Sequence, residues 1–429
     1  TLSEPKRDKL AFYHDVLRDW AIGNLIHEDH KRISSLNLAV PASPRVARGI
    51  EFAARLALET SGDCDSWLSL LDRLSPVGAH SSWRRQALLA IVRSEVRQEL
   101  LERGSKALLG RGGALFAELV TVIAAVDTMS VAEFYTSLGL EIDKPIPTTL
   151  RSNTSGTGFA LLKWVLAHSK ELPMQAIGAA VELVTIQFHL FQMLPNFASK
   201  TSAMLFDWLR QLDIQEAAIT IPNDTAAERL DGSVRRRMIE DLRTMALVLS
   251  AHSPENAKAY LREIDAKRDS HKVKAIRQFS SVLAPVAPAE LADLVVGSLI
   301  ERPRRRRSFS GMADRRAFSF ADSDYLPPSP AQPPFLDLLI ASPDHGLALV
   351  RRLVAEAVEF NAKGADPGEN GFTVVFGNGP RFFPWNQTYF LFRVQANEYS
   401  AGSGLKALEA CGHQRVDTGE SLDAVLADI

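Results

Sequence analysis

The sequence predicts an all-α protein, an α-solenoid of HEAT- or armadillo-like helical pairs with a small β-hairpin near the C-terminus. Three observations carry this expectation. Apolar residues recur at three- and four-residue steps along most of the chain, the spacing that lines one face of a helix. The interruptions are short and marked by Pro, Gly, Ser or Asp. The 429 residues are 46% apolar and 23% charged, enough for a large core and unlike a disordered chain. Many helices of roughly 12–20 residues joined by short turns suggest stacked pairs. No clean repeat motif stands out, so an irregular helical bundle is the alternative topology.

Each element follows from its own pattern. Helical periodicity runs through 45–60, 82–104, 114–129, 158–170, 201–212 and 233–252, then 256–268, 271–286 and 287–301. Breaks such as "SPVGAHSS" (75–82) and "SPEN" (253–256) end where a helix cap belongs. The most apolar long window, 174–194, contains Glu182, Gln187, His189 and Gln192, which fit a buried helix better than a membrane span. At 301–335 the pattern gives way to a stretch rich in Arg, Ser and Pro. Residues 335–363 then read as two helices. "GFTVVFGNGPRFFPW" (371–385) reads as a hairpin around Gly-Asn-Gly-Pro, with Pro380 and Pro384 restricting its second run to an edge. A last helical stretch begins near Ser403.

The resulting division is 1–40 (a final helix of an upstream unit), 41–300 (helical repeats), 301–334 (an Arg/Ser/Pro-rich loop) and 335–429 (a helical pair, the hairpin and a truncated helical segment). The chain starts without Met and stops inside a helical pattern, as a fragment of a longer protein would.

Charge and cysteine content narrow the function classes. The balance of 49 basic and 51 acidic residues supplies no global field for nucleic acid or an anionic membrane. Cys64 and Cys411 are too far apart in sequence for a redox or metal motif, which points to a reducing, cytoplasmic setting. No Walker loop, dinucleotide fingerprint, zincin or nucleophile-elbow motif occurs, so no catalytic or metal residues can be named. "GRGGALF" (110–116) lacks the Lys of a phosphate loop and follows a helix, so it reads as a helix-to-helix turn.

Three stretches could carry function. In "RPRRRRSFS" (302–310), Arg302, Arg304, Arg305, Arg306 and Arg307 could contact phosphates or flank a phosphorylation site at Ser308 or Ser310. A solvated loop is the commoner meaning of such a run, and nucleic acid is not the favoured partner. The aromatic-rich 380–393 could be a binding surface, although a packed hairpin needs the same residues. In "FYHDVLRDWAIGNLI" (12–26), Phe12, Tyr13, Val16, Leu17 and Trp20 form one ridge, and His14 and Arg18 share another flank. Ile22 and Ile26 bring apolar surface to a third side, as in a helix wedged between neighbours. A histidine there can bond a phosphate oxygen, or simply a carbonyl, and physics alone favours the carbonyl.

That last stretch resembles the end of the winged-helix domain in STAND-type NTPases, the NACHT and NB-ARC signalling ATPases. His14-Asp15 matches the His and Asp of their "MHD" motif, and Tyr13 stands where Met would be. The resemblance implies that His14 approaches the ADP β-phosphate in an inactive state, with Asp15 supporting the turn. Residues 322–354 and 389–411 also resemble long helical regions of large bacterial members, several of which act in antiphage defence. It follows that ATP or ADP with Mg would be held by an upstream NTPase domain of the same chain, and the fragment would be no enzyme. Its helical repeats would then sense a trigger, and the parent would assemble on activation. The rival readings are a self-contained protein-interaction scaffold and a nucleic-acid-binding module built on the arginine loop.

Overall fold

A computed structural model describes residues 2–3, 11–12, 15–137, 151–153, 156–218, 226–266, 268–300, 318, 320–362, 371–376, 379–384 and 399–428. The fold is all-α, with short antiparallel strand pairs as its only sheet structure among those residues. The chain divides into two compact units, one of Thr1–Met204 and Ile221–Met245, the other of Leu205–Thr220 and Ala246–Ile429.

The first unit opens with β1 (Leu2–Ser3) paired to β2 (Ala11–Phe12), then α1 (Asp15–Glu28) and α2 (Pro44–Thr60). Pro44 suits the first helical position, where its missing N–H has no partner to lose. The α2 core stripe is small: Ala47, Gly49, Ile50, Ala53, Ala54, Ala57 and Leu58. Small residues let α1 approach closely. A Cβ on Gly23 would lie 2.6 Å from Phe52 Cβ and 2.9 Å from the Gly49 carbonyl oxygen. A Cβ on Gly49 would in turn overlap Ile22.

The exposure of α1 corrects the expected wedge. Val16, Leu17 and Trp20 face solvent, Trp20 at 50% exposure, and the buried positions are Asp19, Gly23 and Ile26. A glycine-lined contact with α2 outweighs the larger apolar ridge, because only small residues permit that approach.

Next come α3 (Asp65–Arg73), α4 (Ser82–Arg93) and α5 (Arg97–Arg103). Ala87, Leu88, Leu89, Ala90, Ile91 and Val92 are all fully buried, so α4 is a central helix surrounded on every side. The single helix expected over 82–104 is two. Ser94 Oγ donates to Glu59 Oε1 at 2.6 Å and accepts from the Val96 N–H at 3.2 Å, a local turn that competes with helix continuation.

A helical stretch, α6 (Ser105–Val126), contains the expected turn. Arg111, Gly112 and Gly113 have φ of 50°, 68° and 77°, so the backbone reverses hand before the helix resumes. Gly113 is required twice, since a Cβ there would also lie 2.5 Å from Ala176 Cβ. The break also means that the one described segment long and apolar enough to cross a membrane is two shorter helices.

Strand β3 (Thr128–Ser130), α7 (Val131–Ser137), β4 (Arg151–Asn153), α8 (Gly156–Ala167), α9 (Ile177–Ile186) and α10 (Phe188–Phe191) follow. β3 pairs antiparallel with β4, a ladder that the periodicity did not reveal. The apolar window 174–194 is buried helix as expected, interrupted at Gln187. Helices α11 (Pro195–Ala218) and α12 (Ala226–Val248) have residues in both units.

The second unit contains α13 (Pro254–Glu263), α14 (Ser270–Arg277), α15 (Ser280–Leu283) and α16 (Pro288–Leu299). The expected helical pair is present as α17 (Phe335–Ala341) and α18 (Pro343–Ala362). The expected hairpin pairs β5 (Gly371–Phe376) with β6 (Gly379–Pro384), and α19 (Tyr399–Asp417) and α20 (Leu422–Asp428) complete the chain. Asp322, fully buried, accepts hydrogen bonds at 2.8 Å from both the Tyr399 and Ser400 N–H groups and a third from the Ser400 hydroxyl. This carboxylate caps α19 from 77 residues upstream, where negative charge is favoured. Beside it, Asp324 pairs with Lys274 and Arg277, and the Arg277 guanidinium lies 4.1 Å above the Tyr325 ring. Thus "DSDY" ties α14 to the start of α19.

Candidate functional site

The site begins with the loop between α1 and α2, which is fastened onto the start of α4. The His80 N–H donates to the Leu38 carbonyl at 2.8 Å, Trp83 Nε1 donates to the Val40 carbonyl at 2.8 Å, and the Ala42 N–H donates to Ser82 Oγ at 3.0 Å. His80 Nδ1 accepts from the Ser82 N–H at 3.2 Å and is 2.9 Å from the same hydroxyl. These bonds bring the first turns of α2 and α4 side by side. Neither first turn contains an acidic residue.

Between α2 and α4 lies a groove of about 540 Å³. Arg48, Arg85 and Arg93 supply its cations, Glu51 its one carboxylate, and Phe52, Pro44 and Ala47 an apolar wall. Two of the three arginines have carboxylate partners, and Arg48 shares its own, Asp19, with Arg18 at 3.5 Å. Arg48 Nε is 3.1 Å from Asp19 Oδ2, and Asp19 is only 1% exposed. Arg93 bridges Glu51 at 2.9 Å and Asp127 at 2.7 Å. Burial alone lowers the Arg93 pKa, but the bond to Asp127 and the charge of Glu51 more than offset this, leaving it raised. Asp127 is itself held by Thr157 Oγ1 at 3.2 Å, and Asn153 Nδ2 donates to its backbone carbonyl at 2.9 Å.

Arg85 differs from the other two. Its Nε is shut away from solvent with no acceptor, and among the described residues the side chain has no ion-pair partner. A buried donor without an acceptor costs about 1–3 kcal/mol.

Two serine–histidine contacts occur elsewhere among the described residues of this unit, one of them Ser105 Oγ at 3.4 Å from His168 Nε2. Ser152 Oγ is 2.6 Å from His189 Nδ1, and burial lowers the His189 pKa, favouring the neutral ring. Ser152 is 1% exposed, however, and its place in β4 makes the contact a tether for that strand.

The residues singled out from sequence are distributed differently. His14, together with Arg302, Arg304, Arg305, Arg306 and Arg307, lies outside the described residues, as do Ser308, Ser310 and the aromatic run 385–393. Asp15 is the first residue of α1. The groove arginines went unnoticed because each occupies an ordinary polar position on an amphipathic helix. The sequence signal available was a first turn in α4 with two arginines and no acid. Neither the known protein families nor the curated proteins searched contain a match to this chain.

Proposed function

We propose that the chain is the ligand-sensing, regulatory helical-repeat region of a larger STAND-like ATP-binding signalling protein. One observation supports this reading above the others: helix α2 is shared by two features. At one side it is packed through Gly49 and Phe52 onto α1, the helix that starts immediately after His14. Next to that contact its Arg48, Glu51 and Phe52 line the groove, so Phe52 belongs to both features. Ligand in the groove would therefore act on the helix that holds the nucleotide-sensing end of α1 in position. Close-packed helices of this kind move as discrete bodies, which is what such coupling needs.

On this reading ATP or ADP and Mg belong to an NTPase domain upstream, and the region itself performs no chemistry. The parent would act in the cytoplasm, assemble on activation, and in bacteria serve antiphage defence. Its gene would encode a P-loop ahead of Thr1. The decisive experiment is His14→Ala in the intact parent, measuring ADP retention and basal activation. Faster ADP loss and raised basal activation are expected. Unchanged retention and activation, or a gene without a P-loop, would overturn the assignment.

The exposed Val16, Leu17 and Trp20 favour one second reading, a self-contained protein-interaction scaffold. A native start codon directly before Thr1 would support that alternative.

A further inference from the structure

We infer that the corner joining the end of α1 to α3 is an acid-sensitive latch, closed while the His30 ring is neutral and opened when both of its nitrogens carry a proton. The latch depends on this corner alone and goes beyond the nucleotide reading, whose residue His14 precedes the opposite end of α1.

The corner is built from a few residues. Helix α1 ends at Glu28, and Asp29, in extended conformation, leads the chain into a 3-10 turn, His30–Ser35. Asp29 Oδ1 accepts from the Lys31 N–H at 2.9 Å, so this carboxylate is already engaged in starting the turn. Ile26 and Ile33, both buried, anchor the chain on either side of the bend. The turn packs on α1 and on α3, whose last residue is Arg73.

The ring nitrogens decide what a proton does here. His30 Nε2 and His27 Nδ1 are both closed off from water, and among the described residues neither has a hydrogen-bond partner. A neutral imidazole has one bare nitrogen and one N–H. The neutral His30 ring therefore fits with Nε2 bare and its hydrogen on Nδ1. The next proton must go to Nε2, where it creates a buried donor with no acceptor. Relief comes only when the turn lifts and that nitrogen meets water.

The surrounding charges act in the same direction. Arg73 from α3 and His27 from the last turn of α1 oppose a positive His30, and of the groups that act on the ring only Asp29 has the opposite sign. Glu28 is exposed and accepts from Asn24 Nδ2 at 2.7 Å, and Lys31 and Arg32, on the turn itself, are exposed cations. Asp65 and Asp72 share a shallow surface of α3 with Arg73, and neither acts on the ring. Burial first, then Arg73 and His27, hold the His30 pKa below its ordinary value of 6.5. A histidine lowered in this way takes up fewer protons in the closed corner than in the open one. The latch is therefore fully held above pH 6.5 and loosens as pH falls through the folded value. Opening releases the last turn of α1 and the 3-10 turn from α3, while the close contact of Gly23 with α2 retains the rest of α1.

The test is hydrogen–deuterium exchange of the 429-residue chain, read by mass spectrometry at about pH 7.5 and about pH 5 and corrected for intrinsic rates. Protection of residues 25–36, relative to the α4 core, is expected to fall about threefold or more on acidification. His30→Gln cannot titrate and should remove that dependence on pH. Should His30→Gln fail to fold, Arg73→Gln serves instead: it removes the cation facing the ring from α3, and the fall should be smaller. His345→Gln removes a titrating ring in the second unit and should leave the fall unchanged. Equal protection at the two pH values would overturn the inference, as would a fall undiminished in His30→Gln or in Arg73→Gln. So would an equal loss throughout α4, since that describes unfolding of the unit and not a latch. None of these outcomes bears on nucleotide retention by the parent, so the two proposals fail separately.

Discussion

Gly23 and Phe52 bring α1 and α2 into backbone-close contact, with a Cβ on Gly23 falling 2.6 Å from Phe52 Cβ. Phe52 is also a wall of the arginine groove, so this contact sets both the packing of α1 and the shape of the site. Gly23→Ala would gain about 1 kcal/mol of helix propensity. Overpacking against Phe52 and the Gly49 carbonyl costs about 1–3 kcal/mol, and the carbonyl cannot turn aside. A net fall in thermal midpoint is expected. A midpoint at or above that of the parent sequence would show that the two helices separate freely.

His168 makes a pH-dependent tie between the ends of α5 and α8. Its Nε2 is 3.0 Å from Glu102 Oε2 and its Nδ1 3.3 Å from Glu171 Oε2, beside the Trp164 ring. Burial lowers its pKa, but the bonds and charges of the two carboxylates prevail and leave it above the ordinary value of 6.5. A raised folded pKa stabilises fully below 6.5, and the benefit disappears as pH rises through the folded value. The thermal midpoint of the unsubstituted chain minus that of Glu102→Gln, followed from about pH 5.5 to about pH 8.5, should therefore shrink as pH rises. A difference that is constant or grows would remove the charged His168 from the account.

In the second unit, Lys272 Nζ is 3.1 Å from Asp213 Oδ1, and the Tyr260 hydroxyl donates to Asp213 Oδ2 at 3.0 Å. Both ionised groups are largely buried. Asp213→Ala removes the nearer carboxylate of Lys272, leaving Asp269 at 3.9 Å, and should cost about 1–3 kcal/mol in urea denaturation. Replacing both members, as in Asp213→Leu with Lys272→Met, removes the poorly matched buried charge and should recover part of that loss. A double variant no more stable than Asp213→Ala would mean that packing, not charge, dominates.

Gln187 is 1% exposed, and among the described residues neither its amide oxygen nor its amide nitrogen has a hydrogen-bond partner. Gln187→Met keeps the length and removes the unsatisfied amide, so stability should be unchanged or rise by about 1–2 kcal/mol. A loss greater than about 1 kcal/mol would show that the amide contributes a polar interaction of its own.

The legible parts of this protein are those set by near neighbours in the chain. Apolar spacing is sufficient for the helical class, and "GRGG" must turn because three consecutive positive φ angles are inexpensive only where glycine predominates. The pair 335–362 and the hairpin 371–384 were legible for the same reason, each being bounded by its own turn residues. The split at Ser94 was not, because its hydroxyl reaches Glu59, a residue 35 positions earlier. Nor was the exposed ridge of α1, since Trp20 and Gly23 compete for the interior only once α2 is present.

By itself the sequence determined the helical class, the turn chemistry and the near-neutral charge balance, all of them functions of local order and composition. Only the tertiary structure decided that Arg48, Arg85 and Arg93 share one groove and that, among the described residues, Arg85 alone of the three has no carboxylate partner. The physical reason is that periodicity specifies which face of a helix is polar. What that face meets depends on how closely distant helices can approach, and here the small residues of α2 set that distance.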